Sequence, residues 1–155
     1  MRGASAAEEV LKEEKSNDLA ILVVWEPILP SDWGRPTRPV LGRISDKRVI
    51  QFWDKDHLIA KQLSTQLHTK EPDCCRHSGT LWDLVALYPK ETSWNGSEPN
   101  YIDGPVYKIK AELQGQTARL LASGQPPNLL QSIHPVFRPA AGMGDRPDRN
   151  PRFVM

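Results

Sequence analysis

Three groups of residues carry side chains that could do chemistry. The densest is Asp73-Cys74-Cys75-Arg76-His77. Two thiols, an imidazole and a carboxylate this close could hold a soft metal such as zinc or copper(I). Arg76 and His77 would also favour a thiolate and so make a cysteine reactive. Against this, adjacent cysteines rarely both reach one tetrahedral ion, and a second ligand pair at the usual spacing is missing. A disulfide between neighbours would be strained, because their side chains point apart. Two ordinary loop cysteines are the stronger reading. The second group is Asp54, Asp56 and His57, where a carboxylate beside histidine could do acid–base work. The same positions suit a helix cap and its dipole, and capping outweighs catalysis. The third is Glu26, Asp32 and Trp33, a crevice loop that follows an apolar run, where open α/β sheets place their ligands. Such a carboxylate pair could bind a cation or an amine, although a solvated turn is the plainer account. No glycine-rich phosphate loop, Gly-x-Ser-x-Gly elbow or His-Glu-x-x-His occurs, which argues against nucleotide-dependent enzymes, serine hydrolases and zinc proteases of the familiar kinds. No residue is assigned as catalytic, and no cofactor is expected.

The elements that must position these groups alternate. Ala4 to Lys15 predicts a helix, with Ser5 and Glu8 in capping-box spacing and Glu8 four residues before Lys12. Leu19 to Trp25 is apolar without alternation, the pattern of a strand buried on both faces of a helix-covered parallel sheet. Pro36 and Pro39 allow only a short helix. Lys47 to Trp53 reads as a second strand that contributes Val49, Ile50, Phe52 and Trp53 to the core. A helix follows from an Asp54 cap to about His68, with Leu58, Ile59, Leu63 and Leu67 as its buried stripe. Thr80 to Tyr88 reads as a third strand that places Trp82 in the core. Glu91 to Asn100 is an irregular connection, and Asp103-Gly104-Pro105 opens a last helix. The last thirty-two residues hold six prolines and three glycines. Such a composition predicts a disordered tail over residues 123–155 behind a folded domain of residues 1–122.

This order of elements is an α/β layer pattern with right-handed crossovers. It resembles the thioredoxin fold after its first strand. Arg2 to Leu11 resembles the helix that follows the Cys-x-x-Cys turn, and Leu19 to Trp25 the strand after it. Val23 to Trp33 and Arg43 to Asp54 are similar to segments of uncharacterised bacterial thioredoxin-like proteins. The resemblance covers residues 2 to 121 and implies a three-layer sheet with helices on both faces, N-terminally truncated. It also implies a cis-proline, for which Pro99 and Pro105 are the candidates. The sequence contains no Cys-x-x-Cys, and the motif's place would lie at or before Met1.

A redox-inactive binding or structural module is therefore expected. One alternative is a thiol–disulfide oxidoreductase whose Cys-x-x-Cys lies upstream; another is soft-metal or metalloid binding through Cys74 and Cys75. A missing first strand would leave Leu19 to Trp25 as an exposed sheet edge, which implies a homodimer or a partner strand. Twenty basic against nineteen acidic residues give a net charge of +1, which supplies no attraction to nucleic acid or an anionic membrane. No apolar run reaches the ~18 residues of a membrane span. Two cysteines and the absence of a leader pattern predict a cytoplasmic protein.

Overall fold

The computed structural model describes residues 2–31, 34–68, 72, 74–93 and 97–124, and the backbone of 152–154. The chain is a mixed α/β structure. In order come α1 (Arg2–Glu13), β1 (Leu19–Trp25), α2 (Arg38–Leu41), β2 (Val49–Trp53), α3 (Leu58–Gln66), β3 (Arg76–His77), β4 (Thr80–Leu81), β5 (Val85–Leu87), β6 (Tyr101–Asp103), α4 (Lys110–Ser123) and β7 (Arg152–Val154). Five strands form one sheet in the order β2-β1-β7-β5-β6, and β3 and β4 form a separate hairpin. β1 and β2 run parallel, with Ile21 opposite Val49 and Trp25 opposite Trp53.

Alternation along β5 sorts the helices onto its two sides. Val85 and Leu87 pack with Val10 of α1 and with Leu113 and Leu120 of α4. Ala86, pointing the other way, packs with Ala60 and Leu63 of α3. α1 also covers β1, where Leu11 meets Leu19, Ile21 and Ile44.

Arg48 and Glu8 lock α1 to the loop that precedes β2. The Arg48 guanidinium donates to the carbonyls of Leu11, Glu14 and Ser16, and it grips the Asp46 carboxylate at 2.7 and 2.9 Å. The carbonyls at a helix C-terminus lack intrahelical partners, so this one cation satisfies them and offsets the dipole there. Glu8 departs from the capping-box expectation. The helix already begins at Arg2, and the buried Glu8 carboxylate accepts from the Ser45 amide at 3.0 Å and its hydroxyl at 2.7 Å. A tertiary partner with two donors replaces the local one. The Glu8–Lys12 pair forms as its spacing predicts, at 3.6 Å.

Several sequence expectations are corrected. The stretch from Thr80 to Tyr88 is not one strand, because Asp83 adopts a positive φ of 50° and separates β4 from β5. Ser78 and Gly79, both at positive φ, turn β3 into β4. Trp82, placed in the core by its pattern, is 40% exposed. β2 is the outer strand of the sheet among the described residues, and Ile50 and Phe52, which alternate onto one face of it, are exposed instead of joining the core. In α3 the fully buried positions are Ala60, Leu63 and Gln66, and Leu58 is exposed. The last helix begins at Lys110, after a cis Gly104–Pro105 bond and a strand, β6, that the irregular reading missed.

The largest correction concerns the sheet edge. β1 is interior, with β2 on one side and β7 on the other. β7 pairs parallel to β1 through Leu19, Ala20 and Ile21 only, and antiparallel to β5 through one pair, Leu87 with Val154. Residues 125–151 of the expected tail lie outside the described residues, but Arg152–Val154 within that tail is a strand.

Candidate functional site

β7 fills one end of a strand-wide slot. β1 continues for four residues, Leu22 to Trp25, past its last pair with β7. A cavity of about 590 Å3 runs along β1, lined by Leu19 and Ile21 as well as by Leu22, Val24 and Trp25, and by Leu81, Leu84 and Val85. Helices roof it from both directions: Ala7 of α1 and Leu113 of α4 reach it, as do Ile59 and Leu63 of α3. Its walls are mainly aliphatic; within β1, Leu19 and Ile21 are buried and the other five residues are half-buried.

Three carboxylates lie in this mainly apolar lining, Glu14, Glu26 and Asp83. Glu26 follows β1, and His57 lies in the loop after β2. Because the two strands are parallel neighbours, their carboxyl ends converge, and the Asp54 amide donates to the Trp25 carbonyl at 2.9 Å. This brings His57 Nδ1 to 3.1 Å from Glu26 Oε2. Burial pushes the Glu26 carboxyl up from its ordinary range, against the lowering effect of the His57 bond; nearby Asp54 adds to the rise. Asp83 is likewise raised by burial. His57 itself takes a left-handed conformation, with φ of 56°. Asp54 does serve α3, although not as its N-cap residue: its Oδ2 accepts from the Ile59 amide at 2.7 Å.

Cys74 and Cys75 are joined to each other by a disulfide. His77, in the exposed hairpin, meets Trp82 edge-on with ring centroids 6.4 Å apart. A metal would need the cysteines reduced, and among the described residues no group of three or more His, Cys, Asp or Glu could hold an ion. Asp73, Asp32 and Trp33 lie outside the described residues. The sequence named Glu26 and His57 in different groups and missed their meeting. The signal was present in the position of each beyond the carboxyl end of a strand, Glu26 directly after β1 and His57 four residues after β2, but it becomes readable only once those strands are paired. Asp83 gave no signal, being hidden in what read as continuous strand.

Compared with protein-family models, curated proteins and solved structures, the chain matches none. No helix among the described residues is long and apolar enough to cross a membrane.

Proposed function

We propose that the chain is a thioredoxin-like domain acting as a binding module, and that its ligand is an extended apolar peptide segment taken up as a strand between β1 and β5. The observation that carries this reading is the slot. β7 is already seated there by main-chain pairing, yet it pairs only with Leu19–Ile21 of β1, while a cavity of about 590 Å3 runs along β1 and continues past that pairing to Leu22–Trp25. Main-chain pairing in such a site supplies affinity, and side-chain pockets supply specificity. The aliphatic walls select apolar side chains, while Glu26 marks the end next to His57. In this reading the helices on the two sides of β5 are the outer layers of a three-layer thioredoxin-like sheet, and β7 stands in its central position.

The test uses the full chain and a labelled peptide with the sequence of residues 146–155. Phe153→Pro places in β7 a residue without a backbone donor, in a strand flanked on both sides, which weakens the chain's own occupancy. This variant is expected to bind the peptide at least tenfold more tightly than the unaltered protein, about 1.4 kcal/mol. Equal, weak binding to both would remove the reading.

The parallel pairing of β7 with β1 favours a second reading. A parallel strand in this slot that led into α1 and then β1 would complete a right-handed β-α-β unit. The resemblance would put a Cys-x-x-Cys between that strand and α1, making the protein a thiol–disulfide oxidoreductase. Insulin reduction by protein isolated from its native source supports this reading if present, and its absence favours the binding module.

A further inference from the structure

We infer that the Cys74–Cys75 disulfide is a thiol–disulfide exchange site, reduced by a dithiol or a small thiol, and set beside the wall of the apolar cavity. The inference stands apart from the peptide-binding reading and needs no Cys-x-x-Cys. Disulfides that hold folds together act by closing loops of chain, and their effect grows with the residues enclosed. Here the sequence separation is 1, so no loop is closed and the unfolded chain is scarcely restricted. A bond with so little structural role is suited to being opened.

Its surroundings fit that role. Both cysteines are partly exposed, so an incoming thiolate has access. Arg76 follows directly in the chain, and positive charge nearby favours the thiolate released on opening. The pair is also held in a defined place. The Cys75 carbonyl accepts from the Trp82 amide at 2.9 Å, and Trp82 lines the cavity. The Cys75 sulfur lies so close to Gly104 that a Cβ added there would be 2.7 Å away, and the same Cβ would be 2.5 Å from the Asp83 carbonyl. Opening the disulfide therefore acts on contacts shared with the segment Trp82–Leu84 of the cavity wall.

The exchange balances without other reactants. The thiolate of a dithiol attacks one sulfur, a mixed disulfide forms, the Cys74–Cys75 bond breaks and the second cysteine leaves as a thiolate. The remaining thiol of the reductant, once deprotonated, attacks the mixed disulfide. The reductant leaves as a disulfide, and Cys74 and Cys75 become two thiols. Two electrons and two protons have moved. The reduced pair reverses the sequence against a substrate disulfide.

The experiment is thiol counting on the full chain under native conditions, with dithiothreitol as reductant, alkylation as trap and intact mass as readout. No alkylation before reductant and two alkylated thiols after it, without denaturant, are the expected results. After removal of dithiothreitol, oxidised glutathione should restore the disulfide. Cys74→Ser and Cys75→Ser, each with one thiol left, should trap a mixed disulfide with glutathione. Two thiols already free in air-exposed protein, or alkylation only after unfolding in urea, would overturn the inference. If either variant fails to fold, the counting on the unaltered chain decides alone.

Discussion

At the scale of single residues, the firmest anchor is the Asp46–Arg48 pair. The Arg48 guanidinium beside it is the main reason that the Asp46 carboxyl is held at about 2, down from 3.8. Because the folded value is depressed, the stabilisation is complete above pH ~4 and is lost as pH falls through 2. A shift of this size corresponds to about 2 kcal/mol. Asp46→Asn is expected to cost that much in urea unfolding at pH 7 and progressively less between pH 4 and 2. Arg48→Met should cost about 3 kcal/mol, since it also strands the carbonyls at the end of α1. Glu26 behaves in the opposite sense. Its carboxyl is raised by burial, so the protonated form favours the fold, and ionisation withdraws that contribution as pH rises through the folded value. Glu26→Gln should therefore raise the melting temperature at pH 7, with the gain shrinking as pH falls toward 4.5 and gone below it; a gain that persists unchanged in acid would show that Glu26 is not buried as described. Gly104→Ala places a Cβ against the Asp83 carbonyl and the Cys75 sulfur, and about 3 kcal/mol of destabilisation is expected from overpacking against backbone.

At the scale of elements, α3 and β5 show why some features were readable in the sequence and others were not. α1, β1, β2 and α3 announce themselves by their apolar pattern and lie within about four residues of their expected places, whereas α4 begins at Lys110, five residues after the expected opening at Pro105. β6 spans only Tyr101–Asp103, too short for period 2 to register, and it sits between a proline-bearing loop and Gly104–Pro105. The break at Asp83 is a backbone conformation that an apolar run hides. Burial at β2 was misread because an apolar run does not reveal which face of its strand is covered, and the face carrying Ile50 and Phe52 is exposed. The α3 stripe shifted because Gln66 takes a buried position, where its Oε1 accepts from the Tyr88 hydroxyl at 3.0 Å. Burial pushes that phenol up to about 12. Tyr88→Phe should cost about 1 kcal/mol by thermal unfolding, the worth of one buried hydrogen bond; no change would mean that the hydroxyl contributes nothing there. The disulfide escaped the sequence reading for a different reason: strain between neighbouring cysteines argued against it, and Cys75 adopts a φ of 69° in the structure.

At the scale of the whole molecule, the sheet is assembled from two parallel strands on one side, β1 and β2, and an antiparallel pair on the other, β5 and β6. What joins them is three residues from the end of the chain, paired at four positions in all, three to β1 and one to β5. A continuous apolar core does not by itself need a strand there, but the backbone groups of β1 do, since buried amides and carbonyls require partners. The sequence implied an unfilled strand position next to Leu19–Trp25 through its resemblance, and it placed that position at an outer edge. In the structure β1 is interior: β7 pairs with Leu19–Ile21, and the cavity along β1 extends past that pairing to Leu22–Trp25. Occupation of that position by an extended peptide is the central claim. Amide hydrogen exchange of the full chain, with and without the peptide of residues 146–155, tests it most directly. The account predicts faster exchange for slot-facing amides in Leu22–Trp25 than for those paired with β2, and, in the Phe153→Pro chain, slowing of slot-facing amides of Leu19–Ile21 and Val85–Leu87 when peptide is added. Protection that is already uniform along β1, or that appears elsewhere on addition of peptide, would contradict it.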